Sequence, residues 1–242
     1  MATKKSELII GALFIFAAVT AIIGLNLYNP ILKGPDYLIK GPEYANQVIM
    51  GALMELILVV SAVGTSTTMF PILRKYNETI ALWHVCFRFL EAVIITIGII
   101  SVLSLLTLSQ EFAAITSPNI ASFEASGTVL KSIHDWTFLL GPNFMLGINT
   151  MMYSYIFYKS KLVPQFIPIL GMTGSALVFL ASILEMFGVI NQISIWGAFL
   201  SLPVAANEMI LAVWLIVKGF NPSALAFISE IKKMNGTTTI LN

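Results

Sequence analysis

Residues 80–108 read IALWHVCFRFLEAVIITIGIISVLSLLTL. This long stretch has only two charged side chains, Arg88 and Glu91, and no proline interrupts it. About 20 apolar residues, each rising 1.5 Å along a helix, cross the ~30 Å hydrocarbon layer of a bilayer. The stretch therefore predicts a membrane-spanning helix that carries an arginine and a glutamate within it.

The composition of the whole chain agrees with a membrane location. Of 242 residues, 57% are hydrophobic and 10% are charged, and the mean hydropathy is +0.89. Soluble domains carry roughly 25% charged residues, so a soluble enzyme and a disordered tail are both excluded. A net charge of +1 leaves no basic excess for nucleic acid. The single cysteine, Cys86, excludes an intrachain disulfide.

Six stretches have the length and apolarity of membrane spans. They are residues 8–28, 48–73, 80–108, 135–158, 166–189 and 193–217. Nearly continuous apolar runs favour helices over the short alternating strands of a barrel. The segments 29–47 and 109–134 contain Pro and Gly and are predicted to be loops, with or without short helical turns. We expect an all-α integral membrane protein, a six-transmembrane-helix bundle that forms one domain over residues 1–242.

The distribution of Lys and Arg predicts the orientation, because basic residues that flank spans stay on the cytoplasmic side. If the N-terminus is inside, the inner residues are Lys4, Lys5, Arg74, Lys75, Lys159, Lys161, Lys218, Lys232 and Lys233, and the outer residues are Lys33, Lys40 and Lys131. This bias predicts that both termini are cytoplasmic and that the protein lies in the inner cell membrane. Residues 220–242 would be a cytoplasmic tail, in which 223–233 are either an amphipathic helix on the membrane surface or frayed chain.

Five ionisable residues lie well inside spans, where a charge is costly unless it meets a partner or water. They are Glu55, Arg88, Glu91, Glu185 and Glu208. At 1.5 Å per residue, Arg88 lies roughly 12 Å from the inner boundary, Glu91 and Glu208 about 14–17 Å, and Glu55 about 20 Å. Glu185 lies closer to the outer surface. Similar depth makes Glu208 the best interhelical partner of Arg88.

These residues and a few polar neighbours form the predicted binding site. Its members are Arg88, Glu91, Glu208, Glu55, His134, Asp135 and Asn143. Asn149 and Asn207 are interpreted as packing contacts between helices. Three interpretations of the charged residues remain open: a static network that sets helix packing, a site for a ligand or ion, and side chains that reach the membrane surface.

Motifs of known catalytic or cofactor sites are absent from the sequence. It has no phosphate-binding glycine loop, no His-Glu-x-x-His helix and no glycine-flanked serine nucleophile. We therefore expect no catalytic residue, no metal and no cofactor, which favours a protein that is not an enzyme. A carboxylate-only metal site at Glu55, Glu91 and Glu208 stays open as a minor alternative.

Short motifs along the chain carry a family resemblance. They are Phe87-Arg88-Phe89-Leu90-Glu91, His134-Asp135-Trp136, Leu140-Gly141-Pro142, Tyr155, Tyr158-Lys159-Ser160, Leu162-Val163-Pro164, Leu170-Gly171, Glu208 and Trp214-Leu215-Ile216-Val217-Lys218-Gly219. Their order and spacing resemble the bacterial and archaeal membrane family known as domain of unknown function 4386. Gln165 departs from the basic residue that we expect there. The resemblance implies an integral membrane protein of about this span count. It also marks Arg88, Glu91, His134, Asp135, Pro142 and Glu208 as positions that match the family pattern.

The sequence leaves three functions open. The first is binding or transport of a small solute or ion through a pocket of Arg and Glu side chains at mid-membrane depth, formed by the second, third, fourth and sixth spans. The second is a structural or sensory membrane subunit whose buried network only fixes helix packing. The third is a membrane-embedded enzyme that acts on lipid. The expected partners are the lipid bilayer and a small solute or ion, and a homo-oligomer is left open.

Overall fold

The computed structural model describes residues 4–191 and 194–226, and this part of the chain is all-helical, without a β-strand. The elements are α1 (Lys4–Leu27), α2 (Asn29–Leu32), α3 (Tyr37–Lys40), a 3-10 turn (Gly41–Tyr44), α4 (Ala45–Leu73), α5 (Glu78–Ala114), α6 (Ile120–Phe138), a π-helical segment (Leu139–Met145), α7 (Leu146–Ser160), α8 (Phe166–Met186) and α9 (Ile195–Val217). The predicted all-α class is confirmed for these residues.

Five helical stretches in the described residues are long and apolar enough to cross a membrane. They are Lys4–Leu27, Tyr37–Leu73, Glu78–Ala114, Phe166–Met186 and Ile195–Val217. They match five of the six predicted spans. The remaining one, 135–158, covers the end of α6, the π-helical segment and part of α7. Pro142 explains the irregular helix there, because a proline lacks the N–H that a regular helix needs and its ring clashes with the preceding turn.

The prediction of a loop over 109–134 is wrong for most of that segment. α5 continues to Ala114, and α6 begins at Ile120. The Ser-Pro-Asn sequence at 117–119 is a helix start, because the Asn119 side chain accepts a hydrogen bond from the Ser122 amide at 3.3 Å. Asn77 caps α5 in the same way, accepting from the Ile80 amide at 2.9 Å.

Two apolar clusters hold the helices together. One joins the start of α1 and the ends of α4, α7 and α9, through residues such as Phe14, Leu73, Phe157 and Leu211. The other joins Tyr28 and Ile31, which follow α1, to the start of α4 and the second half of α5. On α1, α4 and α5, the residues between these clusters line a cavity that contains charged side chains.

One end of the bundle carries most of the flanking basic residues. The first cluster packs the start of α1 beside the ends of α4, α7 and α9, so Lys4, Arg74, Lys161 and Lys218 flank the same end, which we call the basic end. Of the predicted tail 220–242, residues from 227 onward lie outside the described residues. Residues 222–226 are helical, and the Tyr76 hydroxyl donates to the Ala224 carbonyl oxygen at 3.2 Å.

Candidate functional site

The centre of the site is an ion pair within α5. Arg88 and Glu91 are three residues apart, so both side chains project from one face of the helix. Nη1 of Arg88 lies 3.1 Å from Oε1 and 3.0 Å from Oε2 of Glu91. Each residue is only 3% exposed. The pair is therefore shielded from the surroundings of the bundle by the other helices.

The Arg88 guanidinium also contacts two other helices. Its Nη2 lies 3.9 Å from Oε1 of Glu208 on α9, and its Nε donates to the carbonyl oxygen of Ala62 on α4 at 3.4 Å. Glu208 is thus the interhelical partner that its depth predicts. All three guanidinium nitrogens face oxygen atoms of the protein. In this arrangement Arg88 organises carboxylates and does not present a free fork to an anionic ligand.

Polar residues of α7 and α9 surround the ion pair. Nδ2 of Asn149 donates to Oε2 of Glu91 at 2.6 Å. Asn207 donates to the Tyr153 hydroxyl at 3.0 Å, and the Tyr153 ring meets His84 edge-on, with ring centroids 5.7 Å apart. The predicted site omits Asn149 and Tyr153. Their spacing of four residues places both on one face of α7, and this signal is present in the sequence.

A cavity of about 130 Å³ opens beside Arg88. Its ionisable lining residues are Glu55, Arg88, Glu91, His134 and Glu208, contributed by α4, α5, α6 and α9. The π-helical segment and α7 add Pro142 and Leu146, so the four predicted spans all contribute. α1 also lines the cavity, which the sequence does not predict. Its contribution is small alanine side chains such as Ala17 and Ala21.

Glu55 and His134 line the cavity some distance along the bundle from the ion pair. Glu55 is 7% exposed and His134 is 6% exposed. Glu55 packs against α1 so closely that a Cβ at Gly24 would lie 2.8 Å from Glu55 Cγ. The Tyr28 ring stands perpendicular to the His134 imidazole, with centroids 6.1 Å apart. Glu55 and His134 therefore reach the cavity from α4 and α6.

Two predicted site residues lie away from the cavity. The Asp135 side chain is 77% exposed, although its Oδ1 lies 3.5 Å from Nδ1 of His134. Asn143 donates to Oε2 of Glu185 at 3.4 Å, which joins the π-helical segment to α8. Neither Asp135 nor Asn143 lines the cavity. The structure therefore brings together five of the seven predicted residues.

The charges of the cavity are unbalanced. Glu55, Glu91 and Glu208 contribute three carboxyl groups and Arg88 one guanidinium. Among the residues that the structure describes, no three His, Cys, Asp or Glu side chains are grouped closely enough to hold a metal ion. The arrangement can accept positive charge, either as a proton on a carboxylate or as a small cation beside it.

Comparison with known proteins gives one match. A family model described as "Domain of unknown function (DUF4386)" matches residues 9–219. No curated protein and no solved structure matches the chain. The matched range includes the five ionisable residues that line the cavity.

Proposed function

Because the chain belongs to the domain of unknown function 4386 family, whose name states no activity, we propose its function from the chemistry of the cavity. The protein binds a small cation or a proton in the cavity around Arg88 and carries it across the membrane. One observation supports this most strongly. Three buried carboxyl groups share a cavity with a single arginine.

The contacts of Arg88 explain why positive charge is the suitable cargo. Glu91 takes two hydrogen bonds from Arg88 and one from Asn149, so it is well paired. Glu208 is at the longer distance of 3.9 Å from Arg88, and Glu55 lies farther along the cavity. A buried carboxylate without a close cation is costly in a medium of low dielectric. A proton or cation that enters the cavity removes this cost.

The size of the cavity limits the cargo. A volume of about 130 Å³ accommodates several water molecules or a solute of a few heavy atoms. Alanine side chains of α1 and apolar residues such as Leu58 and Ile95 form much of the wall. Protons, Na⁺, K⁺ and small protonated amines all fit this combination of size and charge.

The proposal includes six crossings of the membrane. α6, the π-helical segment and α7 follow one another without a break from Ile120 to Ser160, which supports their serving as the remaining span. An even number of crossings puts both termini on one side, and the positive charge of the basic end favours the cytoplasm for it. The inner cell membrane is part of the same proposal. Pro142 lines the cavity, so a change of bend at the π-helical segment would alter access to it.

Transport into liposomes tests the proposal. Purified protein is reconstituted, gradients of H⁺, Na⁺, K⁺ and methylammonium are applied in turn, and flux is followed with an internal pH dye or a radiolabel. We expect flux of at least one of these cations, reduced by about tenfold or more in Glu208→Gln and Glu55→Gln, since each variant removes a charge that the cargo neutralises.

Glu185→Gln is the matched control, because Glu185 is also a glutamate in a membrane helix but does not line the cavity. Its flux should equal that of the wild-type protein. Equal flux in the Glu208→Gln, Glu55→Gln and wild-type proteins, with all variants folded by size-exclusion chromatography and thermal unfolding, would contradict the proposal. Absence of flux for every cation offered would also contradict it.

A second candidate function rests on the contacts of Arg88 with protein oxygen atoms. Because its three nitrogens already face protein oxygens, the network is also suited to fixing helix packing in a structural or sensory subunit. On that hypothesis, replacing Arg88, Glu91 and Glu208 together by apolar residues of similar size restores both folding and the cellular role. A variant that folds but loses its role favours the transport hypothesis.

A further inference from the structure

A second cavity lies at the basic end of the bundle, far from the Arg88 site. It has a volume of about 420 Å³ and lies between the loop that joins α7 to α8 and the turn after α9. Lys161 lines it from the loop after α7, and Lys218 lines it from the end of α9. Trp214, in the last turn of α9, also lines it. Both lysines are exposed. Within the described ranges, neither ammonium group has an ion-pair partner.

The backbone around this cavity is well fixed. Nε1 of Trp214 donates to the Gly219 carbonyl oxygen at 3.1 Å, and the Asn221 amide donates to the Leu162 carbonyl oxygen at 2.8 Å. Glu7 is the nearby acidic residue, and its Oε1 accepts from the Phe220 amide at 3.0 Å. The Glu7 carboxylate is therefore bound to backbone and does not pair with either lysine. In the part of the chain that the structure describes, both lysines of this preformed cavity are therefore without an acidic partner.

An apolar groove continues from this cavity along the outside of α9. It has a volume of about 430 Å³ and shares Trp214 and Lys218 with the cavity. Its other lining residues are Met209, Ile210, Val213 and Val217. From Lys218 to Met209 the helix rises about 14 Å, which is half of the ~30 Å hydrocarbon layer. The groove thus has the length of an acyl chain in one leaflet.

We propose that the cavity and the groove together bind one anionic phospholipid. The lipid phosphate lies between Lys161 and Lys218, and one acyl chain follows Val217 and Val213 toward the middle of the bilayer. The indole of Trp214 lies where the head group meets the chains, the usual depth of tryptophan in membrane proteins. Basic pockets at the ends of membrane helices favour lipids with net negative charge. The inference does not depend on the function proposed above.

Native mass spectrometry of delipidated protein in detergent tests the site. Phosphatidylglycerol and phosphatidylcholine are added separately, and the bound fraction gives an apparent Kd for each. We expect tight one-to-one binding of phosphatidylglycerol. Removing both charges with Lys161→Asn and Lys218→Gln should weaken it about 30-fold, since each lysine near a lipid surface contributes about fivefold. Asn is chosen at 161 because the backbone there is left-handed, with φ 54.

Lys75→Gln with Lys159→Gln is the matched control, because these lysines flank the same end but do not line the cavity. This control should bind phosphatidylglycerol as the wild-type protein does. Inorganic phosphate and the deacylated head group of phosphatidylglycerol are tested as competitors, and neither should displace the lipid at equal concentration. Equal binding by the Lys161/Lys218 variant, equal binding of phosphatidylcholine, or displacement by phosphate alone would each overturn the proposal.

Discussion

Nη2 of Arg88 on α5 lies 3.9 Å from Oε1 of Glu208 on α9, and this ion pair links two residues that are more than a hundred positions apart in the chain. Arg88 also holds Glu91 on its own helix at 3.0 Å. The two carboxylates therefore depend on one buried cation. Removing the arginine leaves both carboxylates without a cation, which costs more than the intact group contributes.

Arg88→Ala is expected to lower the free energy of unfolding by about 3–5 kcal/mol, because it leaves two buried carboxylates unpaired. Thermal or denaturant unfolding in detergent measures the change. Arg74→Ala is the matched control, since Arg74 is exposed and its guanidinium lies over the Phe70 ring, 5.6 Å from the ring centroid. It should cost less than about 1 kcal/mol. Similar losses in the two variants would show that burial of Arg88 has no special consequence.

Asn149→Leu is expected to cost about 2 kcal/mol, because Glu91 loses a short hydrogen bond to a charged group. The bond length is 2.6 Å, and both residues are buried. Asn143→Leu serves for comparison. Its bond to Glu185 is 3.4 Å long and partly buried, so its loss should be smaller. Unfolding of the three proteins in the same detergent ranks the two bonds, and a larger loss at Asn143 would contradict this ranking.

The meeting of Arg88 with Glu208 could be predicted from the sequence for a simple reason. A helix rises by a fixed distance per residue, so the position of a residue along a span gives its depth. A charge at mid-depth must also face other helices. These two constraints fix which residues share a layer, and the structure places Glu55, Arg88, Glu91 and Glu208 around one cavity.

The depth of a residue does not give the direction in which its side chain points around the helix. The sequence therefore predicts which side chains face the cavity less completely than it predicts their depth. His134 and Asp135 are adjacent, and adjacent residues on a helix cannot face the same direction. His134 lines the cavity and Asp135 is 77% exposed. Asn143 lies in the π-helical segment, where the changed number of residues per turn alters the faces of the residues. The same segment interrupts the fourth predicted span, 135–158, so no single regular helix covers that span.

Gly171→Ala is expected to destabilise the bundle by about 1–3 kcal/mol, because the added methyl group overfills a close contact of three helices. A Cβ there would lie 3.0 Å from Nδ2 of Asn207 and would overlap the hydroxyl of Ser154. The small residues at 171 and 175 in α8 indicate such a close approach in the sequence. Thermal unfolding measures the effect.

Gly64→Ala is the control for this substitution, since it also adds a methyl group to a membrane helix. The nearest atom to its new Cβ would be Cδ1 of Leu13, at 3.0 Å, which is the free end of a flexible side chain. We expect a change between zero and a gain of about 1 kcal/mol, the usual preference for alanine over glycine in a helix. If Gly171→Ala is equally harmless, the three helices are less tightly packed than the structure indicates.

Tyr76→Phe tests the link between the α4–α5 turn and the segment after α9. Burial raises the pKa of Tyr76 from its ordinary value of 10.0 to about 12, and its hydroxyl donates to Ala224. Since the folded phenol keeps its proton to higher pH than the unfolded phenol, this contribution to stability is complete below pH 10 and is lost as the pH rises toward 12.

The variant Tyr76→Phe should be less stable by about 1 kcal/mol at pH 8, where the hydrogen bond is intact. The difference in unfolding free energy from wild type should shrink between pH 10 and 12. The other ionisable groups are the same in both proteins, so their effects cancel in the difference. A constant difference across the range would mean that the Tyr76 hydroxyl is not sequestered from water in the folded protein.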